Sequence, residues 1–259
     1  MPTLETAAIA PVTKLLLIGD SGSGKTGSIA SLVKAGYRIR ILDLDNKIAG
    51  GILPQVIRKE SPGHLKDVEY IPLRDQMRAT EAGTVLDGAP TAFVGAIRLL
   101  DKWTDGSGPK TWGPQFVLVL DSLTFFADAA FNWAKSMNPS AKDPRQWYGS
   151  AQRAVENSLH QLTSTTFNTN VIVISHVSWI TRSDGTTKGY PASVGTALNP
   201  TIPAYFENMV LCQATAGGKR TIQTVATSLL DLKNPASFTM KPTLPIETGL
   251  ADFFRTLRQ

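Results

Sequence analysis

The sequence predicts an α/β fold, with a mostly parallel central sheet covered by helices on both faces and antiparallel strands near the C-terminus. Three observations carry this expectation. Short runs that are almost wholly apolar, Lys14–Ile18, Phe116–Leu120 and Val171–Ile174, read as strands buried on both faces, as in parallel sheets. Segments of helical periodicity alternate with them. A glycine-serine turn, Gly19–Gly24, joins the first run to a helix.

The elements follow in order. After Lys14–Ile18 and the turn, a helix spans Lys25–Lys34 and is stopped by Gly36. Tyr37–Leu42 is rich in β-forming residues and ends in Asp43-Leu44-Asp45. A helical segment over Lys47–Lys59 is interrupted by Pro54, and Val68–Ile71 is a short strand. Thr91–Trp103 places Phe93, Ile97 and Leu100 at helical spacing. Asp105–Pro114 is a Gly/Pro loop leading into the strand Phe116–Leu120. Arg145–Phe167 is a long helix with Tyr148, Ala151, Val155, Leu159 and Leu162 on one stripe. Ser178–Pro200 is a long loop rich in Gly, Thr, Ser and Pro. Glu207–Gln213, Arg220–Ala226 and Ser228–Leu232 read as the last strands, and an amphipathic helix lies near Leu250–Leu257. No interior boundary divides the chain, so residues 1–259 read as one domain, with a core of about 13–235 and a tail of 236–259.

Composition narrows the class. Hydrophobic residues at 42% supply a sizeable core, and 18% charged residues argue against disorder. A net charge of +5 with a pI near 9.3 permits a polyanionic partner without requiring one. Cys212 is the only cysteine, which excludes an internal disulfide and suits a reducing cytoplasm. His64, His160 and His176 are too scattered to form a metal site by themselves. Met1–Thr13 lacks the basic start and apolar run of a signal peptide. The apolar runs fall far short of the roughly 20 residues of a membrane helix, so no membrane partner is expected.

Gly19-Asp20-Ser21-Gly22-Ser23-Gly24-Lys25-Thr26 fits the phosphate-loop pattern G-x-x-x-x-G-K-[ST], with a strand before it and a helix after. The glycines allow a tight turn whose N–H groups face a phosphate, and contacts run on through Gly27 at the positive end of the helix. Lys25 reaches the β- and γ-phosphates, and the Thr26 hydroxyl ligates Mg²⁺, so ATP with Mg²⁺ is the expected ligand. Phe116–Leu120 ends in Asp121, a carboxylate leaving a buried strand, which suits either water-mediated Mg²⁺ binding or a cap on the next helix by Asp121 or Ser122. Asp43 or Asp45 stands at a strand end where a base could activate water, or where solvated acids end a turn. His176 ends another strand as a phosphate sensor or as a hydrogen-bonded histidine.

Four segments in order, Gly19–Thr26, Ile41–Asp45, Leu118–Ser122 and Val171–His176, resemble the core of RecA-like ATPases. The resemblance implies that a strand lies between the phosphate-loop strand and the Asp121 strand. It places the catalytic base on Asp45, although that family usually has Glu there. It places the γ-phosphate sensor on His176, where RecA has Asn-Gln. Leu232-Lys233-Asn234 resembles the strand end that sends a lysine, here Lys233, into a neighbouring subunit's ATP site. Ser178–Pro200 occupies the slot of RecA's mobile DNA-contacting loop.

The nearest likeness is to RecA-like ATPases of the bacteriophage single-strand-annealing and recombination group. Gly195-Thr196-Ala197-Leu198-Asn199-Pro200 resembles their Gly-x-x-Leu-x-Pro pattern. The implied function is an ATPase, stimulated by single-stranded DNA, that acts as a ring or filament in phage recombination or replication. A phage single-strand-binding protein is an implied partner, and the host cytoplasm the implied location. Arg182 and Lys188, with Trp179 and Tyr190, are candidate DNA contacts in the long loop. Lys142 and Arg145, with Lys135, Trp147 and Tyr148, form a second candidate stretch. The alternatives are a motor ATPase, a small-molecule phosphate-loop kinase and a non-catalytic annealing scaffold. Against the kinase, the longest loops hold one arginine each, too few for a phosphate-closing lid.

Overall fold

A computed structural model of the chain describes residues 11–259. Most of the Met1–Thr13 segment, through residue 10, therefore lies outside the described residues. The chain begins with β1 (Lys14–Ile18), the phosphate-loop turn, and two short helices, α1 (Lys25–Ser28) and α2 (Ala30–Lys34). It continues through β2 (Arg38–Asp43), α3 (Ile52–Glu60), β3 (Val68–Pro72) and a hairpin of β4 (Met77–Thr80) and β5 (Gly83–Leu86). Then come α4 (Ala92–Asp101), β6 (Gly113–Asp121), α5 (Leu123–Met137), α6 (Arg145–Thr163) and β7 (Thr169–Ser175). A second hairpin, β8 (Val177–Thr181) and β9 (Thr187–Pro191), precedes β10 (Asn208–Ala214), β11 (Arg220–Gln223), β12 (Thr243–Pro245) and α7 (Gly249–Thr256).

The central sheet has the order β12-β11-β10-β1-β7-β6-β2-β3. The strands from β10 to β3 pair in parallel, and β11 and β12 add antiparallel. This is the expected fold class. β7 lies between the phosphate-loop strand β1 and the Asp121 strand β6, as the resemblance implied. Alternation along β1 divides the interior in two. Leu16 and Ile18 join one buried cluster with residues of α4, α5 and α6, and Leu15 and Leu17 join another with residues of α2, α3 and α7. A parallel sheet covered on both faces requires uniformly apolar strands.

Several expectations are corrected. Pro54 does not interrupt a helix over Lys47–Lys59. The helix starts at Ile52, and Pro54 falls in its first turn, where no intrahelical N–H bond is lost. The helix expected over Lys25–Lys34 divides at Ile29. The helix from Arg145 ends at Thr163 rather than Phe167. Ser178–Pro200 is not a loop throughout. Its first part completes the β8–β9 hairpin, and Val194, Leu198 and Asn199 beyond it are buried. Ser228–Leu232 forms no strand: Lys233 makes only an isolated bridge to Met209, and the last sheet strand is Thr243–Pro245.

Candidate active site

The C-terminal ends of parallel strands are where side chains emerge from an α/β sheet. Here β1, β2, β6 and β7 deliver, in turn, the phosphate loop, Asp45, Asp121 and His176 around one cleft of about 580 Å³. Gly19 must be glycine because its backbone passes close to β10. A Cβ there would lie 2.4 Å from the Cys212 carbonyl oxygen and 2.6 Å from Ser23 Oγ. Gly24 has φ of +99°, a left-handed conformation that turns the chain into α1.

Lys25 is buried beneath the loop and donates from Nζ to the Gly19 and Asp20 carbonyl oxygens at 2.7 and 2.9 Å. Burial lowers its pKa, and the nearby carboxylates of Asp121, Asp45 and Asp20 act in the opposite sense. Thr26 Oγ1 donates to Asp121 Oδ2 at 2.7 Å. Burial pushes the Asp121 carboxyl up to about 7, against the Thr26 hydrogen bond. Ser122 occupies the N-cap position of α5, but neither its side chain nor that of Asp121 makes a capping hydrogen bond: Ser122 Oγ donates to Asp45 Oδ1 at 2.8 Å instead.

The two candidate bases part company. Asp45 lines the cleft. The Asp43 carboxylate instead accepts from the Lys47 and Ile48 backbone N–H groups at 3.1 and 3.0 Å and ties down the turn before α3. Burial raises the Asp43 pKa, and those N–H bonds work against the rise. His176 is half-buried at the cleft wall, edge-on to Phe125. Burial and then the Lys25 charge lower its pKa and favour neutral imidazole.

The residues present fit a nucleotide with Mg²⁺. The loop supplies a left-handed glycine turn and a lysine, and a hydroxyl and a carboxylate meet at one point beside it. Hard oxygen donors in that number suit Mg²⁺, which takes one or two protein ligands and completes its shell with water and phosphate.

The candidate DNA residues lie on two segments that touch. Arg182 donates to the Tyr190 hydroxyl at 2.7 Å, and Lys188 pairs with Asp231 at 2.7 Å. Arg145 pairs with Asp143, while Lys142 is exposed. Gly195, just beyond the hairpin, packs against Tyr148 and Gln152 of α6, which is where the two segments meet. Lys233 lies elsewhere. It bridges to Met209 near the start of β10, and its Nζ donates to the Pro203 and Phe206 carbonyl oxygens at 2.7 and 3.3 Å. That is the sheet edge opposite the phosphate loop of its own chain.

Sequence reasoning missed the outer walls of the cleft. Ile52 and Val56 of α3 form one side, and Arg220, Ile246 and Thr248 another. None belongs to a motif. Only the topology, which folds β11 and the segment after β12 back toward the loop, brings them there.

A glycine-rich loop carrying the buried Lys25 and the half-buried Thr26, with Asp121 one strand removed, defines a phosphate-loop nucleotide-binding protein. The chain belongs to the AAA domain family, whose model matches residues 12–236. Among solved structures it is similar to the RadB recombinase, at 16% identity and a TM-score of 0.45, over 85% of this chain and 83% of that one. It is also similar to an ATPase from the type III secretion system of pathogenic bacteria, at 13% identity and a TM-score of 0.42, over 79% of this chain and 52% of that one. No curated protein matches. Among the described residues, no helix is long and apolar enough to cross a membrane.

Proposed function

We propose that the protein is a Mg²⁺-dependent ATPase that binds single-stranded DNA and works in phage recombination, annealing or replication as a ring or filament. The observation that carries the ATPase reading is the convergence of Lys25, Thr26, Asp121, Asp45 and His176 on one cleft. Mg²⁺, held by the Thr26 hydroxyl and by Asp121 through water, would neutralise charge on the β- and γ-phosphates. Asp45, oriented by Ser122, positions the attacking water and accepts its proton. Lys25 leaves its loop carbonyls for the phosphates, and His176 reads the γ-phosphate as a neutral donor. A neighbour's Lys233 completes the site. Mixing Lys233→Ala with Lys25→Ala chains then restores part of the turnover that each lacks alone, and no recovery with assembly intact removes Lys233 from the site.

DNA binding is supported by how the β8–β9 hairpin is rooted. Val177 and Pro191 pair directly after His176. The Ala192 carbonyl oxygen accepts from Ser175 Oγ at 3.1 Å and Thr124 Oγ1 at 3.3 Å, and the Ala192 N–H donates to the His176 carbonyl at 2.8 Å. A shift of His176 with phosphate state is thereby passed to a hairpin bearing Arg182, Lys188 and the exposed Trp179. ATP turnover measured with and without oligonucleotide tests the reading. DNA raises turnover in the wild type. Arg182→Ala with Lys188→Ala weakens DNA binding about tenfold or more and flattens its salt dependence, while basal turnover persists. A double variant that binds DNA like the wild type at every salt concentration excludes the hairpin and moves the site to the Lys135–Tyr148 stretch.

A further inference from the structure

Arg220 reaches the phosphate loop from a distant part of the fold. It opens β11, where it pairs with Ala214 at the end of β10, so the intervening turn sets it level with the loop. Its Nε donates to the Gly22 carbonyl oxygen at 2.9 Å. Its Cδ lies so near Gly24 that a Cβ there would come within 2.9 Å, and Ile246 covers the same glycine from 3.4 Å. Across the cleft, Ile52 packs on Gly27. Among the described residues, every ion pair leaves Arg220 out and its terminal amines have no acceptor. A cation with unspent donors thus stands on a loop built for anions.

We propose that Arg220 is a nucleotide-binding residue acting in cis, with Nε on Gly22 and the terminal amines on a phosphate oxygen. The proposal rests on the cleft being a nucleotide site. A guanidinium suits this double duty because its planar fork holds donors at fixed separations, whereas a lysine is a single point of charge. Arg220 would link nucleotide occupancy to β11, two strands from β1. An alternative role is a mere brace, in which Arg220 only steadies the Gly22 carbonyl.

Two substitutions separate the roles. Arg220→Gln keeps an amide donor for Gly22 but removes the charge, and Arg220→Ala removes both. Titration of the full chain with ATP and Mg²⁺ should show both variants binding roughly 10- to 100-fold more weakly than the wild type. The deficit should narrow as salt rises. KM for ATP should increase more than kcat falls, and the melting temperature without nucleotide should stay near that of the wild type. Glutamine binding like arginine would leave only the brace, and alanine binding like arginine would leave no role; either overturns the proposal. Lys25→Ala is the control. If the wild type binds ATP no better than Lys25→Ala, the nucleotide reading itself fails and Arg220 falls with it.

Discussion

β7 begins and ends in polar residues, and the two ends treat them differently. At its start, Asn170 is fully buried and uses all four of its hydrogen-bonding positions. Its Oδ1 accepts from the Thr13 N–H and from Arg258, and its Nδ2 donates to the Pro114 and Phe116 carbonyl oxygens. Beside it, Lys14 spends its ammonium on the Phe167 and Thr169 carbonyl oxygens, and burial lowers its pKa to about 7. At the other end of β7, the His176 ring stands edge-on to Phe125, and Ser23 Oγ in the facing loop is buried without a partner among the described residues. Asp121 meets a single hydroxyl there, and Lys25, which lines the cleft, holds the Gly19 and Asp20 carbonyls of the phosphate loop. Asn170 and Lys14 spend their polar capacity on the chain, although Asn208 Oδ1 and Arg258 Nε at the same edge are buried without partners among the described residues. At the cleft, by contrast, Ser23 and His176 leave capacity open. Buried polar groups ordinarily find partners inside the protein, so capacity held back around a cleft marks a binding site.

The sharpest way to break this comparison is the Asp43 and Asp45 pair, two residues apart with opposite commitments. Asp45 faces the cleft, so Asp45→Asn should cut ATP turnover by two to three orders of magnitude with ATP affinity nearly unchanged. Asp43 is bound to the turn, so Asp43→Asn should lower unfolding stability by about 1–2 kcal/mol and leave most of the turnover. Steady-state turnover and urea unfolding of both variants decide it. The reverse outcome would move the base to Asp43 and make Asp45 the structural residue.

The same contrast explains how much could be read from the sequence. The phosphate loop and Asp121 were legible because their residues lie in short contiguous motifs with local reasons for each residue type, and the strand between β1 and β6 was expected from the family resemblance alone. The choice between Asp43 and Asp45 was not legible, because both end the same strand and only the turn at Lys47–Ile48 takes one of them out of play. The β8–β9 hairpin was missed although Asp184-Gly185, with Gly185 at φ of +82°, is a turn signal. The surrounding Gly, Thr and Ser content hid the alternation of Trp179 and Ile180 along the strand. Arg220 and Asn170 were invisible for a different reason. The partner of Arg220, Gly22, lies 198 residues away and one partner of Asn170 lies 157 residues away, so the pairings exist only once the sheet has formed.

A smaller effect, at the edge that spends its polar groups internally, tests the other half of the comparison. Asn170→Ala removes one side chain and strands four partners, among them the Thr13 N–H and the Pro114 and Phe116 carbonyls. Each buried group left unpaired costs about 1–3 kcal/mol, but the four share one side chain and water can reach the partly exposed Arg258. The net loss should therefore be about 2–4 kcal/mol, read as a lower denaturant midpoint at unchanged slope. Asn170 sits at the far end of the sheet from the phosphate loop. ATP affinity of the folded variant should accordingly stay within about twofold of the wild type, since well-separated sites act independently. An Asn170→Ala protein that kept its stability but lost ATP binding would show that the two edges are coupled through β7. The division between an edge that holds the fold and an edge that holds the ligand would then fail.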